Sequence, residues 1–243
     1  MKFLWGVLVV LLLAANPAFA QFNIDQVLKG LGGISGSGGV SDVKIGSALQ
    51  EALKVGTENA VTQTSAVDGF LLNKAIKILM PKPLQSMEKP LRLLGYDKQI
   101  DEFIVGMNRA AEKSVPFAKD IFWNAIGEMT FDDARKILQG SDTAATDYFK
   151  AKTSKKLQDT FLPTVTDVMG QVGVNQQYEA LVGQYKAVPF ANKIVFDPNQ
   201  YVTEKATDGL FFVVGQEEKK IRTNPAARVT DLLKEVFGSV NRK

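Results

Sequence analysis

Residues 96–139 read YDKQIDEFIVGMNRAAEKSVPFAKDIFWNAIGEMTFDDARKILQ, and this stretch decides the fold class. From Ile100 onward, Phe103, Ile104, Met107, Ala110, Ala111, Ser114, Ala118, Ile121, Phe122 and Ala125 recur at helical spacing. An α-helix, with about 3.6 residues per turn, gathers them on one side as a core face. Val105, Pro116 and Trp123 project from the opposite side, among Arg109, Glu112 and Asp120. A second layer is therefore expected over part of that side, which makes the helix the centre of a bundle. Pro116 removes a hydrogen bond and should kink the helix or split it near Lys113 to Val115.

A turn at Gly127 to Met129 leads into a second helix. Thr130 stands before Phe131 with Asp133 three residues on, an acidic form of the capping box. The threonine oxygen takes an orphan N–H, and the two aspartates, Asp132 and Asp133, meet the positive end of the helix. Ala134, Ile137 and Leu138 form its apolar face, and Gly140 ends it.

The last third is also clearly helical. Asp197-Pro198 opens a helix through Tyr201, Ala206, Leu210, Phe211, Phe212, Val213 and Val214. The large residues from 210 to 214 point in nearly every direction, so the middle of this helix is expected to be buried all round, as a second core helix. Asn224 caps a closing helix, with Pro225 in its first turn, Val229, Leu232, Leu233, Val236 and Phe237 facing inward, and Gly238 as the stop.

Between these landmarks, Ser41 reads as the cap of a helix through Ile45, Ala48, Leu49, Ala52, Leu53, Val55 and Ala60, broken by Asp68-Gly69. In FLLNKAIKILMPKPL, residues 70–84, Ala75, Ile76, Ile78 and Leu79 read as a short helix before a proline-rich turn. The lysine-flanked run Ile76 to Leu79 is equally compatible with extended chain before Pro81. A helix resumes from Leu84 to Leu94 and stops at Gly95, after which Asp97 can cap the central helix. Beyond Gly140, Ser141 or Asp142 opens a helix through Ala144, Ala145, Tyr148, Phe149 and Leu157 that continues past Pro163 to Val165 and Val168, and Gln176 to Lys186 reads as another.

The first twenty residues, MKFLWGVLVVLLLAANPAFA, combine Lys2, an apolar run, the breaker Asn16-Pro17 and the small-x-small site Ala18 to Ala20. That is the pattern of a cleaved secretory signal peptide, and the run is too short for a confident membrane span. The expected organisation is a signal peptide at 1–20, a short segment with a flexible Gly/Ser linker at 21–41, one compact all-α domain of about seven to nine helices at 42–238, and a tail at 239–243. The expected location is the periplasm, with no transmembrane segment after cleavage.

The chain of 243 residues has no cysteine and no histidine. Disulfides and thiol chemistry are excluded, and the commonest zinc ligand and general base are missing. Twenty-nine basic and 26 acidic residues are interspersed, so no nucleic-acid surface is indicated. There is no phosphate-loop or calcium-loop pattern, and neither a metal site nor a cofactor is expected.

Two groups could carry binding or form buried charge networks. Arg109 and Glu112, in MNRAAE, are three apart and share a helix face. Glu217 lies on the line of Ala206, Leu210 and Val213 and Glu218 on that of Phe211 and Val214, at the margin of the apolar middle of the helix opened by Asp197-Pro198, with Arg222 four residues past Glu218 and Arg228 beyond it. Arg109, Tyr148, Tyr201 and Arg222 are candidates for the polar mouth of a groove between helices. The sequence favours a noncatalytic exported protein that binds a protein partner or an apolar small molecule. A hydrolase using Glu112, Asp133 and Glu218 is the alternative, and it requires two of those carboxylates to converge around a cleft.

MNRAAE at 107–112, AIGEMTFDDARKILQG at 125–140, AATDYF at 144–149, YVTEKATDGLFFVVGQEEKKIRTNP at 201–225 and ARVTDLLKEVFG at 227–238 resemble, in that order, the bacterial domain-of-unknown-function family numbered 4197. The resemblance runs from about residue 42 to 238. It implies an exported helical domain and carries over no activity, substrate or catalytic residue.

Overall fold

The structure, a computed structural model, describes residues 42–186, 196–228 and 234. The signal peptide and linker expected at 1–41, most of the connection at 187–195 and the closing helix expected around Val229 to Phe237 lie outside the described residues. Eight α-helices and no strand are found among the described residues: α1 (Asp42–Ser65), α2 (Lys82–Leu93), α3 (Asp97–Ser114), α4 (Ala118–Gly127), α5 (Phe131–Gln139), α6 (Ala144–Gln171), α7 (Val174–Lys186) and α8 (Pro198–Thr223).

The central stretch behaves as its proline requires. Helix α3 ends at Ser114, Val115–Phe117 forms one turn of 3-10 helix, and α4 restarts at Ala118. Thr130 and Asp133 form the reciprocal capping box of α5. The Asp197 side chain accepts from the N–H groups of Asn199 and Gln200 at the start of α8.

The expected centre needs a third member. Helix α6 packs against α8, α3, α4, α5 and α7, and α8 lies against α6, α1 and α3. On α6 the buried residues Ala145, Phe149, Thr153, Leu157, Phe161, Val165 and Met169 are spaced by four. A four-residue step advances about 40° around a helix, so the stripe winds over the surface and meets different partners along its length. A straight amphipathic face is therefore missing from α6, although the helix is central.

Four expectations are corrected. Tyr96, not Asp97, holds the cap position of α3 and gives no side-chain bond; the Asp97 carboxylate pairs with Arg92 instead. Helix α6 starts at Ala144, beyond Ser141 and Asp142, and its own cap residue Thr143 supplies no side-chain acceptor. Phe212 is 46% exposed, so α8 is not buried all round. Finally, residues 66–81 form turns and extended chain with no helix over 75–79.

This 66–81 segment is the second layer expected over α3. It covers Glu112 and part of Arg109, while on that side Val105 and Trp123 remain 38% and 37% exposed and Pro116 is exposed. Tertiary contacts override the local helical pattern: Phe70, Ile76, Ile78 and Met80 are all buried in the common core. Gly209 of α8 makes the approach possible, because a β-carbon there would lie 2.6 Å from a Phe70 ring carbon and 3.2 Å from the Ile76 β-carbon. Gly106 does the same for the start of α7, where a β-carbon would meet a Val174 methyl at 2.1 Å.

Candidate functional site

The polar residues nominated from the sequence resolve into two buried or half-buried clusters and one isolated cap. The first fixes the 66–81 segment to α3. Glu112, 3% exposed, accepts from the backbone N–H groups of Phe70 at 3.1 Å and Leu71 at 3.2 Å through one oxygen. Its other oxygen accepts from Arg109 at 2.7 Å, and the second terminal nitrogen of Arg109 reaches Asp68 at 2.6 Å. Hydrogen bonds from the guanidinium to Glu112, and then to Asp68, push the Arg109 pKa further up. Asp68 has a positive φ of 70°, which an aspartate tolerates better than most residues, and this turns the chain so that its carboxylate meets Arg109.

Asn108 completes this attachment. Its amide accepts from the Ile78 N–H at 2.9 Å and donates to the Ile78 carbonyl at 2.8 Å. A side chain thus provides the pairing that a neighbouring strand would give to extended backbone. Tyr201 adds a bond to the Leu79 carbonyl at 3.3 Å. Burial pushes the Tyr201 phenol up.

The second cluster joins three helix ends. Glu218, 7% exposed, accepts from the N–H groups of Ala145 and Thr146, each at 2.9 Å, and from the Thr146 hydroxyl at 2.8 Å. These are orphan donors in the first turn of α6, so a carboxylate from α8 caps a helix that lacks a side-chain cap of its own. Arg222 binds Glu218 through Nε at 3.0 Å and Nη2 at 2.9 Å, and donates to the Ile137 carbonyl at 2.7 Å in the last turn of α5. The negative end of α5, the guanidinium, the carboxylate and the positive end of α6 follow one another with alternating sign. Arg228 donates to the carbonyls of Ile221 and Arg222 at the end of α8. Glu217 points elsewhere, to Asn59 of α1 and Lys220.

Asp133 belongs to neither cluster. It accepts from the Thr130 hydroxyl at 2.7 Å and the Thr130 N–H at 3.1 Å, and those bonds hold its carboxyl below the usual carboxylate range. Tyr148 donates to the Ala125 carbonyl at 3.3 Å, and burial pushes its phenol up. The four residues proposed for one polar mouth therefore divide: Arg109 and Tyr201 hold the 66–81 segment, whereas Tyr148 and Arg222 bind carbonyls of α4 and α5.

The apolar cavity beside Glu218 and Arg222, between α1, α6 and α8, has a volume of about 20 Å³. That is room for one water molecule. Among the described residues no group of three or more Asp or Glu side chains could hold a metal ion, and no helix is long and apolar enough to cross a membrane.

The family DUF4197, described as proteins of unknown function, matches residues 39–238. The chain belongs to this family. No curated protein and no solved structure matches it. In this DUF4197 chain the motif runs noted above meet at the two clusters. MNRAAE and the start of the 201–225 run hold the 66–81 segment, while the end of that run joins residues from 125–140 and 144–149. Asp68, Asn108 and Thr146 are the partners that sequence reasoning missed. Asn108 stood inside MNRAAE, Asp68 read only as a helix breaker, and Thr146 carried no signal because the carboxylate that its N–H and hydroxyl meet lies 72 residues away.

Proposed function

We propose that this protein is a noncatalytic, exported module of the bacterial envelope that acts by binding a protein partner. The observation that carries this reading is the commitment of its carboxylates. Glu112, Glu218 and Asp133 each accept from a separate set of backbone and side-chain donors, with no partner in common. A hydrolytic pair needs two carboxyl groups facing one cleft, about 5–9 Å apart and free to exchange protons. Here the oxygens that would do so hold helices and a loop in place.

The choice of a protein over an apolar small molecule rests on the lining of the hollows among the described residues. The apolar one beside Glu218 holds only about 20 Å³, whereas those of about 380, 430 and 710 Å³, within the 300–1,000 Å³ range of small-molecule sites, are open surface grooves lined in part by polar or charged side chains such as Gln50, Arg92 and Arg109. Export and periplasmic location rest on the pattern of residues 1–20.

The test is recovery of the protein from its own fractionated envelope, followed by N-terminal sequencing, native mass spectrometry and lipid extraction. The expected result is a chain beginning near Gln21 that co-purifies with a protein in fixed ratio. A stoichiometric lipid without a protein partner would overturn the binding assignment, and an intact Met1 in the cytoplasm would overturn export.

A further inference from the structure

The 66–82 stretch has two unlike sides. Phe70, Ile76, Ile78 and Met80 turn inward, while Val67, Leu72 and Leu79 are 77%, 71% and 58% exposed. From Ile76 to Met80 the side chains alternate in and out, as extended backbone dictates, which places Lys77 and Leu79 outward together. Lys74 and Lys82 are exposed as well, and no ion pair to an acid is formed by Lys74, Lys77 or Lys82 among the described residues. The one acid of the stretch, Asp68, is paired with Arg109, which it shares with Glu112. Lysines elsewhere divide: Lys119 pairs with Glu58 and Lys155 with Asp159, while Lys150, Lys152 and Lys156 form no such pair among the described residues, so the large exposed apolar side chains beside Lys74, Lys77 and Lys82 are what set this stretch apart.

We propose that this stretch is a docking surface for an anionic lipid membrane, with Val67, Leu72 and Leu79 entering the headgroup region and Lys74, Lys77 and Lys82 contacting lipid phosphates. Charge complementarity selects this occupant: three cations without acidic partners alternate with large apolar side chains along one short stretch. That combination suits a surface whose outer layer is negative and whose next layer is apolar. The five attachments, from Glu112, Arg109, Asn108, Tyr201 and the close fit over Gly209, hold the backbone before binding. Little ordering entropy then remains to be lost at the membrane. The lysines supply long-range, salt-sensitive attraction, and the apolar side chains supply short-range retention.

This goes beyond the protein-partner reading and does not depend on it. The absence of cysteine from the whole chain allows single labels to be placed by L72C, L79C and, as a reference on α6, K156C. Each full-length protein, carrying an environment-sensitive fluorophore, is mixed with vesicles of phosphatidylglycerol and phosphatidylcholine in equal parts, and with phosphatidylcholine alone. Because the signal is local, the apolar run at the N-terminus does not generate it. The labels at 72 and 79 should shift to the blue and be quenched by brominated lipid in anionic vesicles only, while the label at 156 stays unchanged. K74Q/K77Q/K82Q should weaken that response about a hundredfold, since each lysine near an anionic surface contributes roughly a fivefold factor. The helical circular dichroism of that variant should match the parent, because none of the three lysines makes an ion pair.

No shift at 72 and 79, an equal shift in both vesicle types, or an unchanged response in the triple variant would each overturn the proposal. Labels that respond to a co-purified protein and not to vesicles would do so too, and would assign the surface to that protein instead.

Discussion

Replacing Glu218 by alanine should be the most damaging single carboxylate substitution in this protein. The change removes the acceptor for two backbone N–H groups of α6, one hydroxyl and two guanidinium nitrogens. Ala145 and Thr146 are buried, so water cannot easily replace those bonds. An unsatisfied buried donor costs about 1–3 kcal/mol, and breaking a buried ion pair from one side costs about 3–5 kcal/mol. The terms overlap, since one carboxylate serves all five donors, and Arg222 keeps its bond to the Ile137 carbonyl. The net loss should be about 4 kcal/mol, or about 10 °C in melting temperature for a domain of this size.

E218Q, which retains an acceptor oxygen without the charge, should lose about half as much. R222A combined with E218A should cost less than the sum of the two, by about 1–3 kcal/mol of coupling. The control is E58A, which breaks an exposed pair with Lys119 at 2.7 Å and should cost about 0–1 kcal/mol. Urea denaturation followed by circular dichroism at 222 nm separates these values, provided the slope of the transition is unchanged. If E218A shifts the midpoint no further than E58A does, Glu218 does not cap α6 and the three-helix junction is wrong.

G209A tests the seating of the 66–81 segment: forcing a β-carbon to within 2.6 Å of buried Phe70 should outweigh the usual helical gain from alanine and destabilise by about 1–2 kcal/mol. G183A in α7, where nothing lies within 4 Å, should instead stabilise by up to about 1 kcal/mol, and equal melting temperatures for the two variants would contradict the packing. For Asp133 the folded-state pKa is depressed, so its contribution is present above the ordinary carboxylate pKa and disappears as pH falls through the lower folded value. D133N should lower stability at neutral pH and remove that acid-side dependence, measured by denaturation midpoints from neutral pH to pH 3; an unchanged pH profile would refute the charged cap.

The sequence determined what is local. Apolar spacing in residues 96–139, the break at Pro116, the box from Thr130 to Asp133 and the Asp197-Pro198 start each depend on bonds within a few residues, and each reappears in the structure. The i,i+3 and i,i+4 charge pairs, Arg109 with Glu112 and Glu218 with Arg222, were legible for the same reason. The tertiary structure alone decided what those pairs are for. Glu112 meets backbone 41 and 42 residues away, and Glu218 meets backbone 72 and 73 residues away. A backbone N–H looks the same at every position, so no side-chain pattern at Phe70 or Ala145 announces its distant acceptor. Residues 75–79 fit a short helix and extended chain alike, and burial of Phe70, Ile76, Ile78 and Met80 with the Asn108 bond to Ile78 selects the extended form. A few hydrogen bonds within one short helix are marginal by themselves, and burial in a common core outweighs them.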